Sequence, residues 1–412
     1  MTVVEHAVLA RLHTPAARPA EKVRSQRAFW LVVFALSVAI MGNNAPSPIY
    51  PIFQQRFALT TGELTLVFAI VVVGVVPSLL LLGPLSDRRG RRPLLAVALA
   101  MGLLGALGFA VAQGLGSLLV ARVLQGISFG ALSGTAVAAL VELEPNGDHA
   151  RATLVATVTI VASQAVAPLG AGLLAQYAPD PARLAFLVLA GLLVAALLGL
   201  AAVPETVMPA PPGERRARAP MIGVPSEIRT AFLVSGAAVV ASFGALGLVA
   251  ALGPKFASSL LHVDNRAVGG AVVFAMLGAS AVAQLTARAW PVRRQLIAGA
   301  VSLALGLVVV LVGVSGRSLA PFVIGIALAG VGQGLAYLGA QAHLDAVIPG
   351  GRRGSVMSAF FLVLYIAASV SALAVGLASG PLGLQTATII VTSVLAGLAL
   401  CSGLLSAREA TS

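Results

Sequence analysis

Long runs of apolar residues alternate with short polar connectors along this chain. Each run has about 20 residues or more, enough for a helix to cross roughly 30 Å of hydrocarbon at 1.5 Å per residue. The strands of a membrane barrel would need only about 9 to 11 residues of alternating polarity, and no such pattern recurs. The pattern therefore predicts twelve spanning helices, near residues 28–49, 63–84, 93–112, 115–141, 152–176, 184–203, 229–252, 267–288, 294–314, 319–343, 355–377 and 384–406.

The composition agrees with a lipid environment. Of 412 residues, 58% are hydrophobic and only 10% are charged, which is too little polar surface for a soluble protein of this size. Backbone polar groups in hydrocarbon must be hydrogen-bonded within the protein, so the runs are helices or a closed barrel, and their length decides for helices. We predict an all-α, multi-pass protein of a bacterial inner (plasma) membrane.

The net charge of +12 does not indicate a nucleic-acid partner, because the basic residues cluster in the connectors and at the ends. Counted along the predicted topology, twenty Lys and Arg residues lie on one side and five on the other. The positive-inside rule then places both termini in the cytoplasm.

Only one connector is long enough to divide the chain. Residues 204–228 are rich in proline and arginine and cannot continue a buried helix. The predicted organisation is listed in chain order: a cytoplasmic tail 1–27, a six-helix bundle 28–203, a cytoplasmic linker 204–228, a second six-helix bundle 229–406 and a cytoplasmic tail 407–412. With Cys401 as the single cysteine, we expect neither disulfides nor a Cys-based metal site, and we assign no metal ligands.

The two halves match at an offset of 204 residues, which pairs Gly126 with Gly330 and Gly130 with Gly334. The shared offset predicts two related bundles with a pseudo-two-fold axis. Parallel repeats of this kind enclose a substrate path near the bilayer midplane, which predicts a transporter.

The most specific motif is the connector between the second and third spans, which reads GPLSDRRGRRPLL from residue 83 to residue 95. Glycines allow a tight turn, and its carboxylate and guanidinium groups can hold neighbouring helix ends. The alternative is a topology signal with an incidental aspartate. Our candidates for a cytoplasmic gate are Gly83, Asp87, Arg88, Gly90, Arg91 and Arg92.

This loop resembles the signature loop of the major facilitator superfamily, and the plan of two six-helix halves is similar to the fold of that superfamily. The resemblance implies that Asp87 meets the start of span eleven near residues 354–355. It also implies that Arg91 pairs with an acidic residue at the end of span four, for which Glu142 is the candidate. The corresponding loop of the second half, near residues 288–294, keeps an arginine pair but lacks the acidic residue and the glycine.

Span four carries Arg122, Gln125 and Gly126 in a segment similar to the R-x-x-Q-G element of twelve-helix drug:proton antiporters. A buried guanidinium is costly, so its default interpretation is functional. The structural alternative is that Arg122 only bonds backbone carbonyls. Gly126, Gly130 and Gly134 at four-residue spacing predict a close-packing face.

Span five contains Pro168, Gly170 and Gly172, in a degenerate match to the G-P-x-x-G-G element of antiporters. Proline removes an amide and bends the helix, and the small residues let a neighbouring helix approach. The resemblance favours antiport over uptake.

A polar stripe runs down span ten, where Gln333, Tyr337, Gln341 and Asp345 recur every fourth residue and so share one face. At the offset of 204 residues, Gln333 corresponds to Phe129, which lies near the face of Arg122. We predict that both faces line a central cavity; the alternative is that these side chains only bond neighbouring helices. Further cavity candidates are Asn43, Asn44, Gln125, Gln164, Gln284 and Tyr365.

A proton carrier is not obvious, because no Asp or Glu lies in the middle of a span. The candidates are Asp345, His343, Glu142 and Arg122, with Asp345 first because it ends the polar stripe. A plain helix cap is the alternative for Asp345. Since no phosphate loop or catalytic motif is present, we expect no cofactor and a proton gradient as the energy source.

The sequence thus predicts a secondary transporter, not an enzyme, that exports a small organic or drug-like compound in exchange for protons by alternating access. The expected partners are a small-molecule substrate, protons and the lipid bilayer, and we expect a monomer. The alternatives are a sugar or amino-acid carrier or uniporter and, more remotely, a receptor or enzyme on this fold.

Replacing Asp87 by Asn is expected to slow transport several-fold without changing insertion, because a gate requires the charge whereas topology depends on the arginines. The transport rate is measured as uptake into cells or proteoliposomes. An unchanged rate would mean that the loop acts only as a topology signal.

Overall fold

The computed structural model describes residues 19–207, 223–259, 262, 265–349 and 352–408, except the side chains of residues 19–24, 83, 84, 87, 88 and 408. Within this part the chain is entirely helical between its turns. The outer portions of the predicted tails and most of the predicted linker lie outside the described residues.

Twelve apolar helices follow one another in the described part of the chain, as predicted. They are α1 (Pro19–Asn44), α2 (Thr61–Ala69 and Val71–Arg89), α3 (Arg91–Ala110), α4 (Leu115–Leu143), α5 (His149–Tyr177), α6 (Leu184–Leu200), α7 (Arg229–Ser259), α8 (Arg266–Ala287), α9 (Val292–Ser315), α10 (Leu319–Val347), α11 (Arg353–Leu382) and α12 (Leu384–Arg408). Eleven of the described segments are long and apolar enough to cross a membrane, and α6 is a shorter apolar helix.

Several helix bounds differ from the prediction, because hydropathy does not register polar helix ends. After α1 the chain continues through the 3-10 turn Ser47–Ile49 into the short helix Tyr50–Arg56. Helix α2 is interrupted at Ile70, and α7 runs on to Ser259 through Pro254. The helices α1 and α11 are also longer than predicted.

Local chemistry explains several helix starts. Thr60 caps α2, where its hydroxyl accepts from the amide of Glu63 at 3.1 Å and the Glu63 carboxylate accepts from the amide of Thr60 at 2.8 Å. The carboxylate of Asp148 caps α5 by accepting from the amide of Arg151 at 2.9 Å. Gly90 has a φ of 100°, which lets the chain reverse between α2 and α3.

The same contacts between helices occur in both halves, with each helix replaced by the one six places later in the chain. In the first half α4 packs on α2, α3 and α1, and α1 also packs on α5 and α6; in the second half α10 packs on α8, α9 and α7, and α7 also packs on α11 and α12. This recurrence supports the predicted relation between the halves. The symmetry axis and the cytoplasmic placement of the termini stay predictions.

Glycines set the closest helix approaches within each half. A Cβ atom at Gly126 or Gly130 would overlap the carbonyl oxygen of Val71 or Val75 on α2. At the matching positions on α10, a Cβ at Gly330 or Gly334 would overlap carbonyl oxygens of α8. The offset of 204 residues therefore relates equivalent packing contacts.

Two glycines predicted to pack closely do not do so. A Cβ at Gly134 or at Gly170 would meet no atom within 4 Å. Each four-residue step turns about 40° around a helix, so Gly134 has turned away from the face of Gly126, and it is exposed. Gly172 does pack closely, since an added Cβ would lie 3.1 Å from the Cα of Gly270 on α8.

The two halves contact each other mainly where α5 crosses α8 and where the first part of α2 crosses α11. Five hydrogen bonds lie along this contact: Ser47 Oγ to Ala250 O at 2.6 Å, Lys255 Nζ to Thr61 Oγ1 at 2.6 Å, Arg266 N to Gln176 Oε1 at 2.8 Å, Arg266 Nη1 to Ala175 O at 3.5 Å and Ser369 Oγ to Ala69 O at 3.3 Å. We call this region the inter-half seam. It lies at the end of the helices opposite to the loop between α2 and α3.

Replacing Gly126 by Val is expected to destabilise the protein by about 1–3 kcal/mol, because the backbones of α4 and α2 must move apart. Gly134→Val on the same helix is the matched control, since its site is open. Thermal unfolding in detergent measures the difference. Equal losses in the two variants would contradict a packing role for Gly126.

Candidate functional site

Arg122 lies at the centre of the first half, with 2% of its surface exposed. Its Nη1 donates to the backbone oxygen of Asn43 at 2.7 Å and to Oε1 of Gln125 at 3.2 Å. The guanidinium carbon also lies 5.7 Å from the ring centre of Phe68. Among the described residues, no carboxylate forms an ion pair with this arginine, so its near neighbours are neutral.

Several polar atoms around Arg122 are buried and have no described hydrogen-bond partner. They are Arg122 Nε, Gln125 Nε2, Asn43 Oδ1, Ser128 Oγ and the Tyr50 hydroxyl. Gln125 packs against Gly105 of α3, so it faces the interior of the first half and not the path between halves, which corrects its assignment to a central cavity. Tyr50 and Ser128 were not predicted, because single hydroxyls in apolar runs carry little signal.

Aromatic rings from both halves meet near the middle of the helices. Phe129 on α4 and Tyr365 on α11 stand edge to face with ring centres 6.3 Å apart. Tyr337 on α10 lies 5.4 Å from Phe243 on α7 and 6.4 Å from Phe360 on α11. Tyr365 packs against hydrophobic residues of both halves. We call these five residues the aromatic cluster; Phe243 and Phe360 were not predicted, because phenylalanine is ordinary in an apolar span.

The predicted polar stripe on α10 does not face one cavity. Gln333 is buried against α8, where its Oε1 accepts from Ser280 Oγ at 2.5 Å, and Gln284 donates to the same hydroxyl at 3.0 Å. For Gln333 the alternative of bonding a neighbouring helix therefore holds, whereas Gln284 bonds a hydroxyl of its own helix. Gln341 is half-buried further along the helix.

Asp345 does not lie in a buried coupling site. It is exposed at the end of α10, where its Oδ2 accepts from Arg353 Nη2 at 3.1 Å. This exposed pair joins the end of α10 to the start of α11, so a structural role fits Asp345 better than that of a proton carrier. His343 and Gln164 are half-buried, and Asn44 is buried.

Arg91 forms the predicted ion pair with Glu142. Its Nη2 lies 3.0 Å from Glu142 Oε1, and its Nη1 donates to Ser86 Oγ at 2.5 Å. The hydroxyl of Thr206 donates to the other carboxylate oxygen of Glu142. The side chains of Gly83, Asp87 and Arg88 in the same loop lie outside the described residues.

Glu205 is a member of this site that the sequence did not reveal. Its carboxylate accepts from the amide of Arg91 at 2.7 Å and from the amide of Arg92 at 3.1 Å, at the first turn of α3. Arg92 also donates to the carbonyl of Ala201 at 3.1 Å. Glu205 and Thr206 thus tie the start of the connecting segment to the loop and to α4. We call Arg91, Arg92, Glu142, Glu205 and Thr206 the loop clamp.

A second acidic group fixes the turn between α4 and α5. The buried carboxylate of Glu144 accepts from the amides of Asn146 at 2.7 Å and Asp148 at 2.8 Å, and from Arg151 Nη1 at 2.6 Å. Burial alone would raise the pKa of Glu144, but the hydrogen bonds from Asp148, Asn146 and Arg151 outweigh it and hold the pKa below its usual range.

Replacing Glu205 by Ala is expected to destabilise the protein by about 1 kcal/mol, because two amides and the positive end of α3 lose their acceptor. Asp180→Asn is the control, since the Asp180 side chain forms only an exposed pair with Arg183 at 3.6 Å and asparagine tolerates the φ of 51° at this position. Thermal unfolding measures both. Equal midpoints for the two variants would contradict the capping role.

Known structures resemble the fold over almost its whole length. A crystal structure of the nucleoside transporter NupG matches with a TM-score of 0.70 and 12% identity over 93% of this chain and 99% of that chain. A bacterial homologue of the human lysosomal transporter Spinster, in an inward-facing and unoccupied conformation, matches with a TM-score of 0.71 and 13% identity over 95% and 98% of the two chains. At these identities the likeness concerns the fold alone.

Two curated relatives match parts of the sequence. A D-xylose transporter of Levilactobacillus brevis is 32% identical over 93 residues, which are 23% of this chain and 20% of the relative. A gallate transporter of Pseudomonas putida is 31% identical over 173 residues, which are 42% of this chain and 37% of the relative. The matched regions therefore span well under half of either relative.

The sequence profile described as the Major Facilitator Superfamily matches residues 32–372. That range runs from α1 into α11 and contains Arg122, the aromatic cluster and the whole loop clamp. Together with the twelve apolar helices and the likeness to solved transporters, it shows that this chain is a membrane transporter and belongs to the Major Facilitator Superfamily.

Proposed function

We propose that this protein carries a small polar metabolite across the membrane by alternating access, and that proton-coupled drug efflux is not its main activity. The metabolite alternative fits the relatives better, since they are described as transporters of D-xylose, gallate and nucleosides. Because the matches to the curated relatives are partial, none of these compounds is assigned to this chain.

The observation that carries the proposal is the contrast between the inter-half seam and the aromatic cluster. The seam joins the halves at one end through tight helix crossings and hydrogen bonds. Deeper in the bundle, Phe129 from one half and Tyr365 from the other meet across the division. A solute bound between these rings would be released when the halves rock about such a seam.

The distribution of basic residues indicates how the transporter is oriented in the membrane. If the loop clamp is cytoplasmic, as the basic connectors predict, the seam closes the outer side and the path opens inward. The ring faces suit solutes with planar or apolar faces, such as sugars or aromatic acids.

Uniport is the coupling mode we propose. Asp345 is exposed, and Arg122 has neutral partners among the described residues. A buried carboxylate that could exchange a proton during the cycle is not present in the described spans. Proton antiport through His343 or Glu142 is the second candidate, since the R-x-x-Q-G resemblance favours antiport.

Counterflow into proteoliposomes tests the proposal with labelled D-xylose, gallate and a nucleoside. At least one compound is expected to exchange, and an imposed pH gradient is expected to change its accumulation less than twofold. Phe129→Ala is expected to raise the half-saturating concentration roughly tenfold through loss of aromatic contact. Tyr177→Ala is the control, because Tyr177 is 73% exposed.

Two outcomes would contradict the proposal. No exchange of any of the three classes would overturn metabolite carriage. Accumulation that follows the pH gradient, with a drug-like cation as the better substrate, would restore proton-coupled efflux.

A further inference from the structure

The turn between α8 and α9 carries three arginines and a tryptophan. Arg288 directly follows α8, Trp290 lies in the turn, and Arg293 and Arg294 lie in the first turn of α9. All three arginines are exposed. We call these four residues the basic turn. Six spans separate it from the loop between α2 and α3, so both lie at the same end of the bundle, which the positive-inside rule predicts to be cytoplasmic.

The charges of the basic turn are not neutralised within the part of the chain that the structure describes. No described carboxylate lies within ion-pair distance of its three arginines. The loop between α2 and α3 differs, because Arg91 pairs there with Glu142 at 3.0 Å and Glu205 accepts from the amides of Arg91 and Arg92. Like charges at close range repel each other, and a bound anion would stabilise all three guanidinium groups.

The side chain of Trp290 fixes one of these arginines in place. The guanidinium carbon of Arg294 lies 4.1 Å from the centre of the indole ring. That ring is half-buried and packs against Ala283 and Ala287 of α8 and Leu335 of α10. A guanidinium stacked on a ring keeps its N–H groups available for two oxygens of a phosphate. Arg294 is therefore preorganised for an anion, unlike an ordinary surface arginine.

An apolar stripe continues from Arg294 along the outside of α9. It consists of Val301, Leu305, Val308 and Val312, which are between 47% and 59% exposed and recur every three or four residues. Arg294 precedes Val301 by seven residues, close to two helical turns, so it begins the same stripe. Helix α9 packs on α10 and α12 of its own half, which leaves the stripe facing the acyl chains of the bilayer.

We propose that the basic turn binds the phosphate headgroup of an anionic phospholipid, whose acyl chains lie along the apolar stripe of α9. Guanidinium groups match phosphate oxygens in charge and geometry, and the stripe supplies the apolar contact that a lipid requires. A lipid with net negative charge is favoured over a zwitterionic one, because three cations face one phosphate. Lipid binding at this turn is independent of which solute the protein carries.

Thermal unfolding of the purified full-length protein in a neutral detergent tests this site without requiring transport. Phosphatidylglycerol is titrated at constant ionic strength, and phosphatidylcholine with the same acyl chains and inorganic phosphate are titrated in parallel. The unfolding midpoint is expected to rise and to saturate with phosphatidylglycerol, because a ligand that binds only the folded state stabilises it. Its half-saturating concentration is expected to be roughly tenfold or more below those of the other two compounds.

Arg294→Gln is the diagnostic variant, because it removes the stacked charge and keeps a polar side chain. Its half-saturating concentration of phosphatidylglycerol is expected to be roughly fivefold higher, as for one basic residue beside an anionic headgroup. Arg293→Gln provides a second test if Arg294→Gln fails to fold. Arg56→Gln is the matched control, since Arg56 is an exposed arginine over the ring of Phe57 at 5.6 Å, at the other end of the bundle. It is expected to behave as the wild type.

The competing occupant of the basic turn is the carboxylate of Glu409, which lies outside the described residues and which the offset of 204 residues relates to Glu205. Glu409→Gln is expected to leave the half-saturating concentration unchanged. A severalfold lower concentration in this variant would mean that Glu409, and not a lipid, neutralises the turn in the native protein.

Three further results would overturn the proposal. Equal shifts with phosphatidylglycerol and phosphatidylcholine would show that the headgroup charge is not recognised. Saturation by inorganic phosphate at the same concentration would identify a free anion instead of a lipid. Unchanged titrations in both Arg293→Gln and Arg294→Gln would mean that the lipid binds elsewhere.

Discussion

The close approach of helix backbones at glycines is the constraint on which this structure depends. In lipid no hydrophobic force draws apolar helices together, so close packing and interhelical bonds must do so. Gly126 and Gly130 hold α4 against α2 over two successive turns, whereas the contact of Gly172 with Gly270 joins the halves only near one end. Each half is thereby a firmly packed unit, and the joint between the units is local.

The loop between α2 and α3 and the corresponding loop between α8 and α9 have the same geometry but are stabilised by different side chains. Arg91 opens α3 and bonds back to Ser86 of the preceding helix. At the position 204 residues later, near the start of α9, Gln295 bonds back to the carbonyls of Ala287 and Trp290 at 2.9 and 3.2 Å. Both side chains close the turn, but only the charged one reaches Glu142, and the backbone amide of Arg91 donates to Glu205 of the connecting segment. The first loop can therefore respond to movement of that segment, and the second cannot do so through this contact.

The sequence predicted what depends on length and pattern, and it missed what depends on neighbours. Hydrophobic runs determine the number of helices, and the Arg91–Glu142 pair followed from the resemblance of its loop. Glu205 was missed because it lies in an irregular connector with no periodicity. Gln333 was assigned to a cavity because periodicity shows which residues share a face, but it does not show that this face meets Ser280 on α8.

The neutral partners of Arg122 limit how this part of the protein can respond to its surroundings. A guanidinium keeps its proton under physiological conditions, and neither the carbonyl of Asn43 nor the amide of Gln125 takes one up. The cluster therefore holds the same charge at any pH the cell experiences. Because that charge is constant and buried, its energy changes only when an ion, a solute or a moving helix alters the field around it. An arginine in this setting is a fixed charge, so the proton of an antiport cycle would have to be carried by another group.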